Sequence, residues 1–322
     1  MQVTIKRLLA LICVLHAFAI AAHAQNFPDR HITLVVPFPP GGATDAVGRI
    51  VGKKMSEVLG QPIVVENRGG AGGTVGIDYV SRQPADGYTI VFVNALPHTA
   101  SKSLYGNLKY DPVGSFTPIG SLGTVSYVLV VNPQFPAPTL DAFIKAARAA
   151  PNKYNYASSG VASAPHLAME VFVRAADVSL VHVPYQGSGP AMTGVLAGDV
   201  HAALDNVAAV PLIKGGKLRA LAQTGTARSA SLPDVPTFAE AGLPQFDVIG
   251  RWGLLAPSGV PPRTVAILGD ALARAVNDPS VRETLLAQGI TPESGSAQQF
   301  AAVLASESVK WSRLIEQANI KP

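Results

Sequence analysis

Cysteine is all but missing. The 322 residues contain one, Cys13, so the chain has no disulfide framework and no cysteine-built zinc or iron–sulfur site. Charge is sparse as well: 14% of residues are charged, and the formal net charge of +4 is not gathered into runs. That excludes the basic stripe a nucleic-acid binder needs. Past the first segment no run of 18 apolar residues occurs, so the rest of the chain offers no membrane span. Catalytic signatures are missing too. No serine stands in G-x-S-x-G, no histidine pair in H-E-x-x-H, and no G-K-[ST] marks a phosphate loop. His31, His98, His166, His182 and His201 are scattered without carboxylates at ligand spacing, so no metal and no cofactor is expected.

What is present is globular material, 48% hydrophobic, with 30 Gly and 26 Pro in no collagen-like period. The length suits about two domains. Met1 to Ala24 reads as an export segment, with Lys6 and Arg7 ahead of the apolar Leu8–Ala22 and the small-x-small signal Ala22-His23-Ala24. Cleavage is expected after Ala24. It removes Cys13 and takes the formal charge to +2.

The remainder repeats strand, glycine-rich turn, helix. Ile32–Val36 runs into Pro37-Phe38-Pro39-Pro40-Gly41-Gly42, and Val47, Ile50, Val51, Met55, Val58 and Leu59 then mark one helix face that Gly60 ends. Ile63–Val65, Thr89–Val93, Tyr127–Val131, Tyr154–Ala157, Leu180–Val183, His201–Leu204, Leu218–Ala222 and Val248–Leu255 read as further strands. The chain from Arg263 is mainly helical. Strands alternating with helices predict an α/β protein of two lobes, each a mostly parallel sheet flanked by helices.

Two turns carry the functional reading. Gly41-Gly42-Ala43-Thr44-Asp45 lies between a strand and a helix, where open α/β sheets bind ligands. The first N–H groups of a helix lack intrahelical partners and carry partial positive charge, so they attract carboxylate or phosphate. Ser158-Ser159-Gly160 through Ser163 to His166 repeats the design in the other lobe, with a helix starting near Pro165. His166 either donates to an anion or packs. One anion-ready helix start per lobe predicts a cleft around a carboxylated ligand.

A third turn, Asn67 to Thr74, is one residue too long for the dinucleotide pattern G-x-G-x-x-G. Asp205, ending an apolar strand, suits an acid, a ligand contact or a helix cap. Arg251 interrupts an apolar stretch and either grips a carboxylate through its two-pronged guanidinium or faces solvent. A secreted hydrolase acting on a small carboxylated substrate is the alternative, since paired carboxylates brought together only by folding are invisible in sequence.

Together these segments resemble the solute receptors of tripartite tricarboxylate transporters, also called Bug proteins. The resemblance rests on Val35-Val36-Pro37-Phe38-Pro39-Pro40-Gly41-Gly42 with Asp45, Leu59-Gly60-Gln61-Pro62, Val65-Glu66-Asn67-Arg68 and Asp86-Gly87-Tyr88. It continues through Tyr156-Ala157-Ser158, His182-Val183-Pro184-Tyr185, Lys217–Leu221, Leu232–Thr237 and Trp252-Gly253-Leu254. The resemblance implies a non-enzymatic periplasmic protein, monomeric, with a Venus-flytrap cleft. It would capture a small organic carboxylate and deliver it to membrane permease subunits; an aromatic or aliphatic dicarboxylate is the expectation that Arg251 and His98 add. It also implies two crossings between the lobes, with residues 25–124 and 228–322 in the first and 125–227 in the second. The predicted ligand-binding set is Gly41, Gly42, Ala43, Thr44, Asp45, Thr74, His98, Ser158, Ser159, Gly160, Ser163, His166, Asp205 and Arg251. The segment Asn94-Ala95-Leu96-Pro97-His98 and Arg251 depart from the family's usual residues.

Overall fold

Apolar residues alternate sides along the first strands, and this decides the layering. The computed structural model describes residues 27–206, 208–318 and 320; the export segment, its cleavage point and Cys13 lie outside the described residues. The first stretch runs β1 (Ile32–Val36), α1 (Ala43–Leu59), β2 (Ile63–Asn67), a 3-10 turn at Ala71–Gly73, α2 (Thr74–Ser81), β3 (Thr89–Asn94), α3 (Ala95–Leu104) and β4 (Phe116–Ser126). The second runs β5 (Val128–Val131), α4 (Leu140–Ala149), β6 (Asn155–Ser158), α5 (Ala164–Ala175), β7 (Val181–Pro184), α6 (Ser188–Ala197), β8 (Ala202–Asp205), α7 (Ala209–Lys214) and β9 (Arg219–Gln223). The chain then forms β10 (Ile249–Pro257), α8 (Pro262–Asn277), α9 (Pro279–Ala287), β11 (Ile290–Gly295) and α10 (Ala297–Ala318).

One sheet has the order β11-β4-β10-β3-β1-β2 and the other β7-β6-β8-β5-β9. In the first, Ile32, Leu34 and Val36 pack with α1 and α8 on one face, while Val35, Val91 and Val93 pack with α2 and α10 on the other. In the second, Leu129 and Val131 face Phe143 and Phe172, whereas Val128 and Val130 face Met192 and Val195. Both sheets are thus covered on both sides, as a side-chain period of two demands of strands without a polar face. Each fully buried large side chain contributes about 1.5–3 kcal/mol.

The two-lobed α/β architecture is as expected, but the sheets are mixed. Four pairings are parallel (β1 with β2 and β3, β6 with β7 and β8). Five are antiparallel, all involving β4, β5 or β10. The reason is connectivity. Helical crossovers make parallel neighbours, but β5 and β10, each entering its sheet from the other one, run against that direction, and β11 runs against β4.

The first crossing is a single residue, Tyr127, between β4 and β5. The second follows β9. Thr224 N–H donates to Tyr127 O at 2.8 Å, and Tyr127 N–H donates to Thr224 Oγ1 at 2.8 Å, so the two crossings lie tied side by side. One apolar cluster continues across them, joining Leu96 of α3 and Trp311 of α10 to Tyr156 and Phe172.

Candidate functional site

Four helix starts border one cavity of about 150 Å³ between the sheets. α1 and α3 reach it from the first lobe, α5 and α6 from the second. Their caps divide them. Asn94 caps α3, its Oδ1 accepting from Leu96 N–H at 3.1 Å, and Ser163 caps α5, accepting from His166 N–H. The starts of α1, at Gly42, and of α6, at Gly187, have no side-chain cap among the described residues. Backbone N–H groups in a first turn have no intrahelical acceptor, so each lobe presents one uncapped, electropositive helix end at the cavity. No Lys, Arg, His, Asp or Glu lines the cavity among the described residues.

The α1 end is held by its own acid. Gly41 takes a positive φ of 81°, which glycine adopts without strain, and its N–H donates to Asp45 Oδ2 at 2.9 Å. Asp45 Oδ1 accepts from Asn67 Nδ2 at 2.9 Å and pairs with Arg49 at 3.0 Å. Burial works against this charge, yet the Arg49, Gly41 and Asn67 hydrogen bonds outweigh it and hold the carboxyl below its ordinary range. Asp45 therefore braces the loop from behind, while Gly41, Gly42, Ala43 and Thr44 line the cavity.

The second predicted turn divides. Ser159 lines the cavity, and Gly160 lines a neighbouring chamber. Ser158 is buried, and its Oγ lies 2.7 Å from His182 Nε2 and 3.1 Å from Gly160 O. His166 Nδ1 accepts from Ala162 N–H at 3.1 Å, and its ring stacks on His182 at 4.1 Å between centroids. Burial first, and then the facing His166 ring, lowers His182 to about 4; burial lowers His166 too. Ser158, Ser163 and His166 thus shape the turn without lining the cavity.

The remaining predicted residues are dispersed. Thr74 donates to Ala71 O and borders a surface groove with Tyr105 and Tyr110. His98 is buried in α3, its Nε2 2.7 Å from Pro112 O, and burial lowers it to about 4. Arg251 pairs with Glu307 at 3.1 Å and lines a separate cavity. Asp205 lies at the end of β8, where its Oδ1 accepts from Asn206 N–H at 2.6 Å. Burial raises Asp205 to about 6 against the hydrogen bonds from Asn206, Ser188 and Ala208.

Residues that sequence reasoning passed over complete the wall. Asn94, Asn206 and Trp252 line it, as does the whole turn Gln186-Gly187-Ser188-Gly189-Pro190. Trp252 packs edge-on against Phe92, and its buried Nε1 has no hydrogen-bond partner among the described residues. The signal at 186–190 was the one used elsewhere, a glycine-rich turn after a strand. Its helix is not marked in the sequence, because Ala191–Ala197 is apolar nearly all round and shows no helical face. Among the described residues no group of three or more His, Cys, Asp or Glu is placed to hold a metal ion, and no helix is long and apolar enough to cross a membrane.

Comparison with known proteins adds independent findings. Residues 47–320 match the profile of a family described as the tripartite tricarboxylate transporter family receptor. Protein BugT of Bordetella pertussis is 37% identical over 320 residues, covering 98% of each chain. Two solved structures are similar throughout. MatC from Rhodopseudomonas palustris with bound malate has a TM-score of 0.85 at 34% identity, covering 90% of this chain and 100% of that one. R. palustris Rpa4515 with adipate has a TM-score of 0.88 at 34% identity, covering 92% and 100%.

Proposed function

The chain belongs to the tripartite tricarboxylate transporter receptor family, and from that premise we propose that it captures a small organic carboxylate between its lobes in the periplasm and passes it, unchanged, to a membrane permease. The observation that carries this reading is the pair of uncapped helix ends, α1 from one lobe and α6 from the other, across a cavity with no charged side chain on its wall. A carboxylate there meets main-chain N–H donors at Ala43, Thr44, Ser188 and Gly189. Because the donors belong to different lobes, the anion favours whichever arrangement brings them together, so binding shifts the population toward the closed form. The malate and adipate found in the similar R. palustris proteins support the same class of ligand.

The direct test is thermal. A ligand bound only by the folded state stabilises it by RT ln(1 + [L]/Kd), about 2.7 kcal/mol at a hundredfold excess over Kd. In a screen of mono-, di- and tricarboxylates, at least one acid is expected to raise the melting temperature and be recovered chemically intact. Stabilisation by sugars or cationic amines but by no acid would overturn the reading; turnover of a stabilising ester or acid would move the protein to the hydrolases.

A further inference from the structure

Each of the two uncapped helix ends has an acid behind it, and the two acids are not matched. Asp45, behind α1, has a countercharge in Arg49 and hydrogen bonds to both oxygens. Asp205 ends β8 and is bonded to two residues of the cavity wall beside α6. Its Oδ1 accepts from Asn206 N–H at 2.6 Å, and the Ser188 side chain hydrogen-bonds the same carboxyl. Asp205 is 1% exposed, and its Oδ2 has no hydrogen-bond partner among the described residues.

No cation balances it among the described residues. β5, opposite Asp205 at Val128, and α6 carry no titratable side chain. On β6 and α5, which also pack on β8, the ionisable groups engage one another: Glu170 accepts from Tyr156 Oη at 2.7 Å, pairs with Arg174 at 2.8 Å and acts on His166. Tyr127, next to Val128, feels the charge of Asp205, but burial keeps it a neutral phenol.

An ionised carboxylate so placed is costly. It also weakens the α6 end for anions, because a negative charge behind a helix N-terminus offsets the partial positive charge there. When a ligand carboxylate arrives at Ser188 and Gly189, two like charges stand on either side of the same short turn. Like charges that close favour the uptake of a proton by one of them. Asp205 is the one placed to take it, since Oδ2 has no other partner and the proton removes a charge that nothing else balances.

We propose that the protein binds a proton together with its acid: Asp205 Oδ2 takes one from solvent as the carboxylate settles at α6, and gives it back when the acid leaves. This rests on the carboxylate reading above and adds a second, smaller ligand to it. The sign of the pH effect follows. Below about 6, its value without ligand, Asp205 already holds the proton and affinity is level. Above that, affinity falls as pH rises, until Asp205 is ionised with and without the acid. His182, at about 4, and His166, lowered by burial, stay mostly neutral over that range.

The test is titration calorimetry on the whole protein with acetate, benzoate, succinate, malate and adipate. The acid of this set that binds most tightly is followed from pH 6.5 to 8.5, where carboxylic acids are themselves ionised. Its affinity should fall about fivefold or more across the range. At pH 7, heats in two buffers of different protonation enthalpy should show on the order of half a proton taken up per acid bound. Asp205→Asn, of the same shape and always neutral, should keep the affinity seen at pH 6.5 to within about twofold throughout and take up no proton. A flat affinity in the natural protein, or a slope that survives in Asp205→Asn, would overturn the proton site and leave the carboxylate reading standing. Loss of all binding in Asp205→Asn would overturn it too, making the carboxylate a strut. Failure of all five acids at both ends of the range would instead count against the carboxylate reading itself.

Discussion

Asn94 Nδ2 donates to Tyr127 Oη at 3.0 Å, which ties a residue on the cavity wall to the single residue that forms the first crossing. Both are buried, and the crossing strand β10 presses against them: a Cβ on Gly250 would lie 2.8 Å from Tyr127 Oη and 3.2 Å from Asn94 Nδ2. Asn94 Oδ1 is occupied by the α3 cap. The side chain therefore links the cavity wall to the crossing, with its Oδ1 on the helix cap and one of its two amide N–H groups on Tyr127.

Tyr127→Phe removes only the hydroxyl and leaves Asn94 Nδ2 buried without its acceptor, a loss of about 1–3 kcal/mol. Chemical denaturation should show that destabilisation, and calorimetry a weaker affinity for any acid that binds, because Asn94 on the cavity wall loses its tether to the crossing. Unchanged stability and affinity would detach the crossing from the cleft.

The helix-end mechanism predicts that a backbone donor matters more than nearby hydroxyls. Ala43 is the first residue of α1 and follows Gly42 in an extended conformation, so Ala43→Pro fits the backbone while deleting one N–H. A hydrogen bond to a charged group is worth about 1.5–3 kcal/mol. The affinity for a bound acid should thus fall tenfold or more with the ligand-free melting temperature preserved. Full affinity in this variant would remove α1 from the site.

Arg251 and Glu307 form a pair in which Glu307, 9% exposed, also accepts from Trp311 Nε1 at 2.8 Å. Arg251 is 38% exposed, so solvent screens the attraction, and Arg251→Ala should destabilise by about 1 kcal/mol. Its effect on a dicarboxylate and on the matching monoacid should be equal. A loss confined to the diacid would bring Arg251 back to the ligand.

Asp205 supplies a pH test with a definite sign. Its folded-state value of about 6 stands above the ordinary 3.8, so the folded state holds the proton more tightly. Its contribution is fully present below pH 4 and is lost as pH climbs through 6. Asp205→Asn cannot ionise, so the variant should gain on the natural protein between pH 4 and 7.5, by an amount on the order of 3 kcal/mol. Urea melts at the two pH values give this difference directly, and His98 and His182, present in both proteins, cancel from it. A difference independent of pH would show that Asp205 is ionised at little cost.

The chain's own pattern was enough for the alternation of strand and helix, the paired lobes and the glycine turn at 41–45, because these depend on neighbours within a few residues. The turn at 186–190 obeyed the same local rule and was hidden only by a helix without a polar face. What folding alone decided is which polar groups stay available. Asp45 is satisfied by Asn67, Ser158 meets His182, His98 meets Pro112 and Arg251 meets Glu307. Those partners lie 14 to 56 residues away. A hydrogen-bonding side chain spent on such a partner has little left for a ligand, and no local pattern records that spending; among the described residues no side chain caps the main-chain N–H groups at Gly42–Thr44 or at Ser188 and Gly189.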